Sequence, residues 1–173
     1  MTPRIQKAID IFLDAINEGT LAKGTCAACA VGNLVAYGMG AKVVRDEFDY
    51  YAAQHSKGTR VVNSEWSRFF TTFRDGSRKM GTLPFSEIVR FPSLQKAIDD
   101  IGFTLEELSK IEYAFETNTL ISWDSYHLYT PAKVRADQIK GLEAVIRVML
   151  QFDEQQDDVK EVFTAKAEAL QYA

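Results

Sequence analysis

The 173-residue chain holds 20 Lys and Arg against 24 Asp and Glu, with 46% hydrophobic and 12% aromatic residues. This length suits one domain with its own core, the aromatic content argues against disorder, and a net charge of -4 leaves no basic excess for a phosphate backbone, so no nucleic acid partner is expected. Two cysteines are too few for a disulfide scaffold and point to a reducing compartment; without an export signal or an apolar run of about 18 residues, the expectation is a cytoplasmic protein with no membrane partner.

Thr2-Pro3 opens the chain with a cap residue and a proline at the first helical position, where a missing amide hydrogen costs nothing. Ile5, Ala8, Ile9, Phe12 and Ile16 follow at three- and four-residue spacing up to Gly19, which predicts the first helix. Thr25 is the expected cap of a second helix over residues 26 to 37, apolar nearly all round and therefore central. Residues 41 to 63 are ambiguous: Val43-Val44 and Arg60-Val61-Val62 suit short strands and residues 46 to 54 suit a helix, with helix the favoured reading. Ser64 caps a segment in which Trp66, Phe69, Phe70 and Phe73 form one aromatic stripe, read as core.

Gly76, Gly81, Pro84 and Pro92 mark residues 75 to 92 as a long exposed loop. Ser93 then starts a helix burying Leu94, Ala97, Ile98 and Ile101, with Gly102 as terminator. Thr104 and Glu107 form a capping box for a helix that buries Leu105, Leu108, Ile111 and Phe115. A polar and aromatic connection over residues 117 to 129 precedes Thr130-Pro131, a second cap-then-proline signal. It opens the longest helix, with Val134, Leu142, Val145, Ile146, Met149 and Phe152 inward, and a last, loosely packed helix is expected over residues 157 to 171. The expected architecture is all-α: a single-domain bundle of six or seven helices around residues 26 to 37, with room for one minor β element.

Cys26-Ala27-Ala28-Cys29 at a helix N-terminus invites a chemical reading, because the macrodipole and free amides favour a thiolate there. Thiol redox chemistry uses this spacing after a strand, whereas here a helix precedes it. A cysteine hydrolase would use Cys26 as nucleophile with His127 and Asp124, in the chain order of papain-like enzymes. Cys26, Cys29, His55 and His127 match the inventory of a zinc centre but not the spacing of a compact module, so no metal site is expected. The plainest alternative makes both cysteines apolar filler. Glu112 and Glu116 share a helix face and could meet a cation, yet no Glu-x-x-His accompanies them. With no phosphate loop, dinucleotide fingerprint or nucleophile elbow, no cofactor is expected.

Residues 26 to 33, Cys-Ala-Ala-Cys-Ala-Val-Gly-Asn, and residues 107 to 116 resemble segments of small bacterial and phage proteins, which implies a bacterial or phage origin and transfers no site. Function therefore reads as binding of a protein partner or a small ligand without catalysis. The competing class is a cysteine-dependent enzyme using Cys26 with His127.

Overall fold

The computed structural model describes residues 2–25, 27–45, 51–55 and 92–153. In chain order these form α1 (Pro3–Asn17), α2 (Ala30–Gly38), β1 (Ala41–Arg45), β2 (Tyr51–His55), α3 (Pro92–Ile101), α4 (Leu105–Asn118), a short 3-10 helix (Trp123–Leu128) and α5 (Pro131–Asp153). The fold is mostly helical with one two-stranded antiparallel sheet. Among the described residues no helix is long and apolar enough to cross a membrane. The expected aromatic stripe at Trp66 to Phe73, residues 75 to 91 of the expected loop and the last helix over 157 to 171 lie outside the described residues.

α1 buries Ile5, Ala8, Ile9, Phe12 and Ile16, the stripe its spacing predicts, and Gly19 turns the chain out of it at φ +68°. Pro3 occupies the first turn as expected, but Thr2 caps through its backbone carbonyl, which accepts from Gln6 N at 3.1 Å, and its hydroxyl makes no capping bond. α2 lies at the centre: Ala30 through Ala36 are all buried, and α1, α3, α4 and β1 all pack against it. Small residues make this possible. A Cβ on Gly38 would overlap the Ala97 carbonyl oxygen of α3, so that crossing needs a glycine.

The expected start of α2 at Thr25-Cys26 is corrected by about one turn. Cys29 is the N-cap, with extended backbone at φ -66° and ψ 176°, and its Sγ accepts from Gly32 N at 3.3 Å. Thr25 O closes a single turn, accepting from Ala28 N and Cys29 N, but Ala28 O is diverted to Ala22 N at 2.8 Å, so that turn does not run on into α2. The buried Asn33 amide pins that loop by donating to Thr20 O, Ala28 O and Cys29 O at 3.0–3.1 Å.

The helix favoured within residues 41 to 63 is also corrected, in its described part, to a pair of strands. Gly40, at φ +67°, redirects the chain after α2, and β1 pairs β2 from Ala41 opposite His55 to Arg45 opposite Tyr51. Val43 and its partner Ala53 are each 1% exposed whereas Lys42 is exposed, the two-residue period of a sheet with one covered face. Residues 56 to 63 lie outside the described residues.

α3 begins at Pro92, one residue before the expected Ser93, and buries Ala97, Ile98 and Ile101. The capping box of α4 forms as its sequence predicts: Glu107 N donates to Thr104 Oγ1 at 3.2 Å and Thr104 N to Glu107 Oε2 at 2.7 Å. Arg4 of α1 joins it, bridging to Glu107 at 3.0 Å and to Gly102 O at 2.9 Å. Thr130 caps α5 through its hydroxyl, which accepts from Lys133 N at 3.3 Å. α4 and α5 pack along their lengths, closely enough that a Cβ on Gly141 would overlap Thr119 Oγ1. Leu108, Ile111, Phe115, Leu142, Val145 and Met149 meet there within the same hydrophobic cluster as α1 and α2.

Candidate functional site

Two places concentrate polar chemistry. The first lies where α4 meets the N-terminus of α2. Glu112 and Glu116 stand one turn apart on α4, so both face this junction. Glu112 is 6% exposed; its Oε2 accepts from Val31 N at 3.5 Å and its carboxylate accepts from the Cys29 thiol. Burial pushes its pKa up to about 7, Glu116 nearby adds to the rise, and the bonds from Cys29 and Val31 oppose it. Burial also raises Glu116, against a bond from Gly24 N at 3.2 Å and the neighbouring charge of Lys23. Lys23 is held by donating to Thr119 O.

This junction presents a hydrogen-bonded thiol and a carboxyl that changes charge near neutral pH, but not a reaction site open to substrate. Cys29 is 1% exposed, and a nucleophile must be reached to act. Among the described residues no group of three or more His, Cys, Asp or Glu is disposed to hold a metal ion. The shared face of Glu112 and Glu116 is legible in their spacing; that it meets Cys29 and Val31 carries no local signal, because 81 residues separate Val31 from Glu112.

The second place is a groove of about 400 Å³ among the end of α1, β1, the 3-10 helix and the start of α5. Tyr126, His127 and Tyr129 form one side; Arg135 and Gln138 of α5 and Arg45 of β1 supply polar groups, and Ile16 and Val134 the apolar lining. Gln138 Nε2 donates to Tyr126 Oη at 3.0 Å and also to Leu21 O, and Tyr126 Oη donates to Leu21 O at 3.4 Å. This network fixes the Tyr126 ring. Burial also pushes the Tyr126 hydroxyl up to about 12, so it stays a neutral donor.

The connection that carries Tyr126 and His127 is anchored at both ends. Asp137 of α5 accepts from Leu120 N at 2.9 Å and Ile121 N at 2.7 Å. Ser122 pairs with Lys23 as a parallel bridge, Trp123 N donates to Lys23 O at 3.0 Å, and Trp123 Nε1 donates to Gly24 O at 3.2 Å. Gly24 adopts φ +81°, and a Cβ there would press on Ser122 Oγ.

Of the residues singled out from sequence, His127 is exposed on the 3-10 helix and lines the groove. Asp124, on the same short helix, is exposed and accepts from Ser122 Oγ at 2.8 Å and Ser125 Oγ at 3.1 Å. Those two hydroxyls hold its carboxyl below the usual range, and it makes no hydrogen bond to His127. Cys26, the expected nucleophile, lies outside the described residues. His55 ends β2, opposite Ala41.

Arg135 went unnoticed in the sequence, and it is the most informative side chain of the groove. Its Nη2 donates to Asn17 Oδ1 at 2.8 Å, a neutral partner at the end of α1, while its Nε is buried without a hydrogen-bond partner. No carboxylate stands among the described residues that line the groove. A wider hollow of about 700 Å³ beside α2 and β1 differs in this respect. Its Lys42 pairs with Glu18 at 2.8 Å, its Asp100 with Lys96 at 2.6 Å, and its Lys7 lies over the Tyr37 ring at 4.8 Å.

No protein-family model, curated protein or solved structure matches this chain, so its site rests on its own geometry.

Proposed function

We propose that this protein is a non-enzymatic binding protein whose ligand is a small molecule seated in the groove of Tyr126, His127, Tyr129 and Arg135. The observation that carries this reading is the groove itself, in which Arg135, held by Asn17 Oδ1 at 2.8 Å, stands among aromatic and aliphatic walls with no carboxylate among the described lining residues. The groove volume of about 400 Å³ falls within the ordinary range for small-molecule sites, with aromatic walls and a few convergent polar groups. A cytoplasmic setting and a bacterial or phage origin belong to the same proposal, supported by the two-cysteine composition and by the resemblance of residues 26 to 33 and 107 to 116.

A small-molecule library screened by two-dimensional NMR on isotope-labelled protein tests this. Ligands are expected to shift the resonances of Tyr126, His127 and Arg135 together. A screen whose binders all map elsewhere, or that finds none, overturns the proposal.

Cysteine-dependent catalysis remains the second reading, favoured by one observation, the exposed His127 imidazole on the groove wall. Alkylation of the folded protein followed against pH decides it. A thiol reacting with an apparent pKa well below the free value of about 8.5 supports catalysis, and thiols that react only on unfolding end it.

A further inference from the structure

Building on the groove as a ligand site, we infer that its occupant is a small organic anion, a flat apolar body ending in a carboxylate or phosphate. Among the described residues that line the groove, Arg45 and Arg135 carry positive charge and none is acidic, and Lys133 lies 4.8 Å above the ring of the lining Tyr129. Arg135 is positioned without being neutralised, since its described hydrogen-bond partner is the amide oxygen of Asn17. A guanidinium held in this way by a neutral partner suits a carboxylate or phosphate oxygen through a charge-assisted bond.

The helix ends around the groove agree with that sign. Pro131 places the N-terminus of α5 on the lining, the end where a helix dipole favours negative charge. The opposite end of α1 also reaches the groove at Ile16 and Gly19, but its last carbonyls are occupied: Asp14 O accepts from Glu18 N, Ala15 O from Thr20 N and Leu21 N, and Ile16 O from Gly19 N. Its negative end is therefore internally satisfied.

The remaining walls call for an apolar body. Tyr126 is fixed by Leu21 O and Gln138, Tyr129 offers its ring, and Ile16, Pro131 and Val134 provide aliphatic surface. A space of about 400 Å³ holds one or two rings with an acid group and is too small for a folded partner's segment. An inorganic ion alone would satisfy the arginine but leave these walls uncovered.

Titration of labelled full-length protein with benzoate, phenyl phosphate, benzyl alcohol and inorganic phosphate tests the inference, with the Arg135 Nε–H, Tyr129 and His127 resonances as readout. The two aromatic anions are expected to shift all three, to bind about tenfold or more tighter than either control, and to weaken as ionic strength rises. Benzoate against phenyl phosphate tells which acid group is preferred. Arg135→Gln should lose the preference for anions, while Arg135→Lys should keep part of it. Because Arg135 also ties down Asn17, the exposed His127→Gln serves as the variant that leaves the fold intact, and it should weaken anion binding to a smaller extent. Benzyl alcohol binding in the groove as tightly as benzoate overturns the anion while sparing the groove. Inorganic phosphate binding as tightly as phenyl phosphate overturns the apolar body. If no probe moves a groove resonance the inference fails, and the library screen separately decides whether the groove binds anything.

Discussion

Replacing Glu112 by Gln keeps the side chain's length and its ability to accept from the Cys29 thiol and Val31 N, and removes the proton equilibrium. The folded carboxyl titrates at about 7 against an ordinary value of 4.5. Below the ordinary value both folded and unfolded chains hold the proton, so the group adds no pH dependence. Between 4.5 and about 7 the folded chain keeps a proton that the unfolded chain has released, so stability falls as pH rises. Above about 7 both forms are ionised and the full cost of a buried charge is present. The difference between about 7 and 4.5, at roughly 1.4 kcal/mol per unit, gives about 3 kcal/mol. Glu112→Gln should therefore gain about 3 kcal/mol over the wild type on going from about pH 4 to about pH 8, whatever its offset at the acid end. Urea unfolding followed by circular dichroism across this interval measures it. Glu116 titrates in both proteins, and because its charge acts on Glu112 the difference reports position 112 together with that coupling. Parallel stability curves for the two proteins between about pH 5 and 8 would refute a titrating Glu112.

Two further substitutions probe how α2 is held. Gly38→Ala should cost about 1–3 kcal/mol or more, since the new Cβ overlaps the Ala97 carbonyl oxygen and α3 must move; a thermal melt matching wild type would mean the crossing is looser than described. Asn33→Ala removes the amide shared by Thr20 O, Ala28 O and Cys29 O; Ala28 O keeps Ala22 N and Cys29 O keeps the backbone N of residue 33, so Thr20 O loses its donor, with an expected loss of about 1–3 kcal/mol by urea unfolding and faster alkylation of Cys29 as the loop loosens. A loss below about 1 kcal/mol would show that the loop does not depend on this amide.

The candidate sites were partly legible. Glu112 and Glu116 stand out by their four-residue spacing, and His127 by its chemistry, but neither signal says what each side chain meets. Arg135 gives no local sign of function, since an arginine on a long helix is ordinary surface by sequence. It becomes informative through Asn17, 118 residues earlier, and through the groove walls contributed by α1, β1 and the 3-10 helix.

The same division runs through the fold. α1, the capping box of α4 and the start of α5 are determined by interactions within a few residues of chain: Ile5, Ile9, Phe12 and Ile16 on one stripe, Thr104 with Glu107, Thr130 with Lys133. Such features survive in sequence because spacing alone brings their partners together. The start of α2 and the hairpin of β1 with β2 do not survive in this way. Thr25 is as good a cap as Cys29 until Asn33 and Ala22 claim the intervening carbonyls, and Val43 chooses a strand when Ala53 lies opposite it. Local propensity determined the helices that close on themselves; packing decided where the central one begins, which face of α4 meets it and which cations line the groove, because those choices depend on partners far along the chain.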